Sequence, residues 1–164
     1  MSQPEKAPAA ERAGLRDRLT RDHARLERLF EELRAALDAD ASQDAARLWG
    51  ELDQGLGAHM AFEECHVLPA FRTVDRREAD DLLREHVLIR RRLIELGVGV
   101  DLHLVRVEVV ADFIALLRAH ARREDALLYL WAEQALPESA QSLFQAASPA
   151  GKAARATSAR PSGG

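Results

Sequence analysis

Residues 15–37 read LRDRLTRDHARLERLFEELRAAL, and this stretch decides the fold class. Its apolar residues recur every three or four positions, which is the spacing of one face of an α-helix: Leu15, Leu19, Leu26, Phe30, Leu33 and Leu37. A histidine, His23, falls on the same stripe. The stretch therefore predicts an amphipathic helix that carries an imidazole on its buried face.

Three more stripes with this period follow along the chain, and each also contains ionisable residues. Their members are Ala45, Leu48, Leu52, Leu56, His59, Glu63 and Val67; then Ala79, Leu82, His86, Ile89, Leu93 and Leu96; then Leu102, Val105, Val109, Phe113, Leu116, His120, Glu124, Leu127 and Trp131. Four amphipathic helices with short connections predict an all-α fold, an antiparallel up-down-up-down four-helix bundle.

Local signals predict where these helices begin and end. Pro69 should kink or end the second helix, Gly97 and Gly99 should stop the third, and Pro137 should stop the fourth. The expected N-caps of the second, third and fourth helices are, in chain order, Asp40 or Ser42, Asp75 and Asp101.

Length and composition fit one domain of this kind. We expect a flexible lead at residues 1–11, the bundle at 12–137, and a short helical extension with a disordered tail at 138–164. The net charge of −4 comes from interspersed Arg, Glu and Asp, without the basic stripe of a nucleic-acid-binding protein. No segment reads as a signal peptide or a membrane span, and the single cysteine, Cys65, excludes an internal disulfide. We expect a cytoplasmic monomer or homodimer that binds neither nucleic acid nor membrane.

One short pattern occurs twice and carries the chemistry: residues 59–63 read HMAFE, and residues 120–124 read HARRE. A spacing of four residues puts the imidazole and the carboxylate on one face of a helix. Together with His23 and His86, these residues give every helix at least one ionisable group on its buried stripe. Burying a polar group without a partner costs about 1–3 kcal/mol, and a bare carboxylate costs far more. Bound metal would satisfy all six groups together.

The ligand types restrict the identity of the metal ion but leave several metals possible. Six ligands could saturate one octahedral ion, but two carboxylates among four histidines favour two ions, each glutamate spanning both. Imidazole and carboxylate without thiolate allow iron, manganese or zinc. A structural zinc site is disfavoured, because such sites are usually rich in cysteine.

The ordered set His23, His59–Glu63, His86 and His120–Glu124 resembles the hemerythrin-like, or HHE cation-binding, family over about residues 15–136. The resemblance implies a four-helix bundle around a non-haem di-iron centre. Glu63 and Glu124 would bridge two iron ions that also share an oxo or hydroxo bridge. It further implies that His23 and His59 bind one iron, and that His86 and His120 bind the other.

One position departs from the oxygen-carrying members of this family. They have a second histidine one turn after the third-helix ligand, where this chain has Arg90 in the sequence HVLIR (residues 86–90). One iron should therefore keep an open or water-filled position, as catalytic metals do. Arg90 is either a snorkelling residue at the bundle edge or a cation beside the metals that attracts peroxide. The substitution resembles a subgroup of bacterial hemerythrin-like proteins linked to peroxide handling.

Other polar residues near the pattern are expected to lie outside the centre. Glu64 and Glu85 should point away from the ligands that they adjoin. Tyr129 is most simply a core or interface residue, although its position five residues after Glu124 could also bring it near the irons. We expect His66 either behind the ligands or on the surface, and His103 on the surface near a helix start.

Three functions remain open at this stage. The first is a di-iron enzyme that consumes hydrogen peroxide in a catalase-like or peroxidase-like cycle. The second is a protein that binds or senses oxygen or nitric oxide, or buffers iron, without turnover. The third is an interaction module in which the metal only holds the bundle together.

Overall fold

The computed structural model of this chain describes residues 14–101 and 107–136, which form four helices and no strand. Their segments are α1 (Leu15–Asp38), α2 (Ser42–Phe62), π1 (Glu63–Val67), α3 (Leu68–Phe71), α4 (Arg76–Asp101), α5 (Val107–Arg123), π2 (Glu124–Leu128) and α6 (Tyr129–Ala135). The second helix of the bundle is α2, π1 and α3 in sequence, and the fourth is α5, π2 and α6. The all-α prediction is confirmed.

Ion pairs between helices show that neighbouring helices run in opposite directions. Arg16, at the start of α1, lies 3.9 Å from Glu133 near the end of α6. Farther along α1, Glu27 accepts a 2.7 Å hydrogen bond from Nε of Arg118, which lies earlier in the fourth helix. The connections at residues 39–41 and 72–75 are short enough to force the same reversal elsewhere. The antiparallel four-helix bundle is therefore confirmed.

The core consists of two apolar clusters, and on every helix the ionisable residues lie between them. One cluster is formed by Leu26, Leu29, Phe30, Leu33, Ala36, Ala45, Leu48, Leu52, Leu56, Met60, Ile89, Leu93, Leu96, Val110, Phe113 and Ile114. The other is formed by Leu15, Leu19, Phe62, Val67, Leu68, Phe71, Ala79, Leu82, Leu128, Tyr129 and Ala132. Burial of these two clusters stabilises the bundle on both sides of a polar layer.

The predicted N-cap of α4 is present in the structure, whereas the predicted N-cap of α2 is not. Asp75 caps α4 as predicted, because its Oδ1 accepts a 2.9 Å hydrogen bond from the backbone N–H of Glu78. The cap prediction for the second helix is wrong. Ser42 is already helical, Ala41 precedes it without a side-chain cap, and Asp40 has the left-handed φ of 54°. Asp40 belongs to the tight turn between α1 and α2 instead.

The prediction that Gly97 and Gly99 stop the third helix is also wrong. The helix α4 continues through both glycines to Asp101, and the predicted cap of the fourth helix falls at the edge of residues 102–106, which lie outside the described ranges. At Gly97 a Cβ atom would lie 2.9 Å from Nε1 of Trp49, closer than side chains tolerate. The glycine therefore makes room for the indole ring rather than breaking the helix.

Several expectations concern residues outside the described ranges. They are the lead at 1–11, the extension and tail at 138–164, the stop at Pro137, and the surface position of His103. Within the described part of the chain, the fourth helix ends at Ala135. None of the described helices is long and apolar enough to span a membrane.

Candidate metal centre

The six predicted site residues converge in the polar layer between the two apolar clusters. Glu63, Glu124 and His86 are completely inaccessible to solvent, and His59 and His120 are nearly so. His23 is the most accessible of the six, with 13% of its side chain exposed.

The four imidazoles form two pairs on opposite sides of the layer. The rings of His23 and His59 have centroids 4.6 Å apart, and those of His86 and His120 have centroids 4.9 Å apart. Each pair joins two consecutive helices of the bundle, so only the folded bundle creates it.

The two glutamates lie between the histidine pairs and face both. Glu63 places Oε1 3.4 Å from Nε2 of His59, and Oε2 3.4 Å from Nε2 of His86. Glu124 places Oε2 3.3 Å from Nε2 of His23, and Oε1 3.0 Å from Nε2 of His120. Every imidazole therefore presents Nε2 to the interior, and each carboxylate offers one oxygen to each histidine pair.

The other ring nitrogen of each imidazole, Nδ1, faces a carboxylate outside this layer. The Nδ1–carboxylate distances are 3.0 Å for His59–Asp22, 2.8 Å for His86–Glu64, 2.7 Å for His120–Glu85 and 3.8 Å for His23–Asp125. At His59, His86 and His120 the hydrogen-bonded carboxylate on Nδ1 favours the tautomer in which Nε2 carries the inward lone pair, the arrangement seen around histidine metal ligands. At His23 the 3.8 Å separation from Asp125 is too long for a hydrogen bond.

This arrangement confirms the expectation for Glu64 and Glu85 and adds a contact that the sequence did not show. Each points away from its sequence neighbour, but toward the imidazole of a different helix. Adjacent residues on a helix project about 100° apart. At a helix–helix contact, the residue beside a ligand therefore faces the next helix, and only the packing shows which imidazole it meets.

The outer carboxylates are themselves held by further polar residues. Arg25 donates to Asp22 at 2.9 Å, Arg123 donates to Glu85, and Thr20 donates to Asp125 at 2.9 Å. These contacts hold the carboxylates in place and limit how far the rings behind them can rotate.

Arg90 is the donor that holds the fourth outer carboxylate, Glu64. Its Nη1 and Nη2 atoms donate to the two oxygens of Glu64 at 2.6 and 3.0 Å, and its side chain is 38% exposed. The guanidinium therefore lies at the edge of the bundle and contacts His86 only through the carboxylate. The structure places it in the outer layer, not beside the inward Nε2 atoms where it would attract peroxide.

Tyr129 is the residue that sequence reasoning missed. It is completely buried, and its hydroxyl lies 3.0 Å from Nε2 of His59 and 3.1 Å from Nε2 of His23. The same hydroxyl donates to Oε1 of Glu63 and lies 3.4 Å from Oε2 of Glu124. The phenol is thus part of the polar layer, on the side of the His23–His59 pair.

The π turns explain how the layer is built. Both begin at a glutamate of the repeated motif, and in each the backbone carbonyl of that glutamate, Glu63 or Glu124, accepts from the residue five positions later. In an α-helix, five residues would place Tyr129 about 140° around the axis from Glu124. The wider π turn brings Tyr129 and Glu124 onto the same side of the helix. The five-residue spacing from Glu124 to Tyr129 is the sequence signal for this contact, but without the π turn it does not put the two side chains on one side.

The charges of these groups depend on one another. Burial favours the neutral imidazoles, yet the facing carboxylates outweigh it and raise the pKa of His59 well above its usual value and that of His86 to about 10. Burial also opposes ionisation of Glu124, but the facing imidazoles, first that of His120, hold the pKa of this carboxyl well below its usual range. Without metal, protons on the imidazoles balance the carboxylates; metal ions would replace those protons.

The donor set fits metal ions. Two groups have ligand atoms close enough to share an ion: His23, His59, Glu63 and Glu124, and His86, His120 and Glu124. Oε2 of Glu63 and Nε2 of His120 are buried without a hydrogen-bond partner among the described residues. Adjacent donors around an ion at about 2.1 Å lie roughly 3 Å apart, and the Nε2–oxygen distances here are 3.0 to 3.4 Å.

Comparison with known families agrees with this geometry. The model of the hemerythrin HHE cation binding domain matches residues 15–132. The chain belongs to this family. Neither the curated proteins nor the solved structures gave a match. Membership of the HHE family makes this a metal-binding four-helix bundle, whose His/Glu cluster is the candidate cation site.

A small cavity of about 60 Å³ adjoins the centre of this HHE domain. The rings of His23, His59 and His120 form one wall, and apolar side chains form most of the rest: Leu26, Phe30, Leu56, Met60, Ile114 and Leu117. The ion-paired and exposed side chains Glu27 and Arg118 also line it. A cavity of this size holds one or a few molecules no larger than water or a diatomic gas.

Two other residues near the motifs lie outside the centre. His66 is exposed, with its ring centroid 5.1 Å from that of Phe62, and Cys65 is exposed as a free thiol. Neither belongs to a group that could hold a cation. Of the two positions expected for His66, behind the ligands or on the surface, the structure shows the surface.

Proposed function

We propose that this HHE protein is a non-haem di-iron protein that reacts with hydrogen peroxide in a catalase-like or peroxidase-like manner. The observation that carries the proposal is the pair of histidine pairs joined by two glutamates. His23 and His59 would hold one iron, His86 and His120 the other, and Glu63 would bridge them together with Glu124. Iron is the metal that the family commonly binds, and imidazole with carboxylate suits it.

The residues around the centre prepare it for a small substrate. The outer carboxylates hold the imidazoles with Nε2 inward, so little reorganisation is needed when ions bind. The apolar clusters on both sides keep bulk water from the layer. When bound, the two ions supply the electrons that reduce peroxide and the oxidising power that regenerates the resting state.

The lining of the adjoining cavity supports a small, neutral substrate. This apolar lining favours small neutral molecules over anions, because an anion would lose its hydration there without compensation. Hydrogen peroxide is neutral at pH 7 and small enough to enter. The attraction of an anion by Arg90 is not needed, because Glu64 already neutralises that guanidinium.

The same cavity favours a second candidate function, the binding or sensing of oxygen or nitric oxide without turnover. Both are small and apolar, and the lining would hold them beside His120 and the His23–His59 pair. A stable charge-transfer spectrum after exposure to either gas, without consumption of peroxide, would favour this function over the first.

The experiment uses the full chain loaded with iron under anaerobic conditions and then oxidised. We expect two iron ions per chain, the absorption of an oxo-bridged diferric centre, and release of one oxygen molecule for every two peroxide molecules consumed. A peroxidase-like reaction would instead need an added reductant and would release no oxygen.

Single-residue variants decide whether the centre is responsible. Glu63→Ala and His120→Ala should lose at least one iron and the peroxide activity, while His66→Ala, which removes an exposed histidine, should keep both. Peroxide consumption that survives in both site variants would contradict the proposal. A protein that binds zinc but no iron would contradict it as well.

A further inference from the structure

The phenol oxygen of Tyr129 is surrounded by donor atoms of four of the predicted metal ligands. Nε2 of His59 and Nε2 of His23 lie at 3.0 and 3.1 Å, and the carboxylates of Glu63 and Glu124 contact the same oxygen. The His59 ring meets Asp22 through Nδ1, so its Nε2 is an acceptor in the tautomer that metal binding requires. A phenol has one proton to donate, so in that tautomer a cation, and not the phenol alone, would satisfy the four surrounding atoms.

Three of the four distances around this oxygen are those of donors that share one ion. Neighbouring ligands of an ion at about 2.1 Å lie roughly 3 Å apart, and Tyr129 Oη lies 3.0 to 3.4 Å from three of the donors. Its contacts are to His23, His59, Glu63 and Glu124, which are the members of one cation group. The other group is formed by His86, His120 and Glu124. Tyr129 therefore distinguishes the two halves of the centre.

We propose that Tyr129 is a metal ligand that supplies a phenolate oxygen to the ion held by His23 and His59. This inference rests on the proposed function, because it needs a metal in the centre. On coordination the O–H bond breaks, the oxygen–metal bond forms, and the proton passes to solvent. The ion on the His86–His120 side would have one protein ligand fewer, so the position open to a small substrate lies there.

The packing explains how the phenol of Tyr129 reaches the ion. The π2 turn, which ends immediately before Tyr129, rotates the side chain to the side of Glu124. The ring is completely buried and lies 5.3 Å from the His23 ring, so it has no room to swing to the surface. The phenol is thus held in place by the fold before any ion binds.

The test is spectroscopic and does not depend on activity. A phenolate bound to iron(III) gives a visible charge-transfer band and tyrosine ring modes in the resonance Raman spectrum excited within that band. Tyr129 is the only tyrosine of the chain, so such signals have one source. We expect the oxidised, iron-loaded full chain to show both, and Tyr129→Phe to lose them completely while keeping two iron ions.

Two further measurements keep the inference open to refutation. Trp131→Phe, a matched change of a half-buried ring on α6, should leave the band unchanged. If Tyr129→Phe fails to fold, the wild-type chain grown with ring-deuterated tyrosine should shift the Raman modes. Wild-type protein that holds two irons without a phenolate signal would overturn this inference alone, whereas protein without iron would overturn the proposed function too.

Discussion

Replacing Glu64 with glutamine tests whether the outer carboxylates strengthen the metal centre. Oε1 of Glu64 lies 2.8 Å from Nδ1 of His86, and Arg90 donates to both of its oxygens. Glutamine has nearly the same shape but only one acceptor oxygen, and its NH₂ group donates. With its oxygen at the Oε1 position, the amide can still accept from His86 and from Nη1 of Arg90, but its NH₂ group cannot accept from Nη2. The substitution also removes the charge that polarises the imidazole.

The expected size of the effect follows from these contacts. Loss of a polar partner behind a metal-binding histidine weakens metal affinity by about 10- to 100-fold. Because the amide oxygen in the Glu64→Gln variant can still accept one bond from His86, we expect the lower end, about tenfold, which is about 1.4 kcal/mol. Arg90 is 38% exposed, so Arg90→Ala should cost less, below about fivefold.

The assay is competition for iron(II) against a chromophoric chelator at pH 7 without oxygen. The matched control is Glu95→Gln, because Glu95 also accepts from two arginines, Arg91 and Arg92, but faces solvent and meets no described histidine. We expect wild-type affinity in the control and a clear loss in Glu64→Gln. Equal affinities in these two variants would refute the reasoning that carboxylates on Nδ1 support the centre.

Two further predictions concern stability. In the metal-free chain burial opposes the charged form of His86, but Glu124 and Glu63 raise its pKa from 6.5 to about 10. Protonation of His86 therefore stabilises the fold fully below about pH 6.5. This stabilisation is lost as the pH rises through 10. The melting temperature of the metal-free chain should fall from pH 7 to 10; a rise would contradict this. In denaturant titrations, Gly57→Ala should add about 1 kcal/mol, because its Cβ meets open space. Gly97→Ala should gain less or lose stability, because its Cβ meets Trp49; equal gains would contradict the packing argument.

The features that repeat along one helix were predictable from the sequence. The apolar period of α1, the cap at Asp75 and the four-residue spacing from His59 to Glu63 are set by local geometry, because a helix has a fixed rotation per residue. That rotation puts a motif on one face without any knowledge of the neighbours. The bundle and the convergence of the six polar residues followed from these stripes.

The tertiary structure decided which residues meet across helices. Glu64 contacts His86, and Arg90 contacts Glu64 instead of the inward nitrogens, because helix packing and not sequence adjacency sets these distances. Helix packing also explains Gly97, whose missing Cβ leaves room for the indole ring of Trp49. Tyr129 enters the centre because the π2 turn changes the rotation on which the sequence argument relied. The amino-acid sequence thus determined the ligand faces of the four helices, and the packing determined the partners of each ligand.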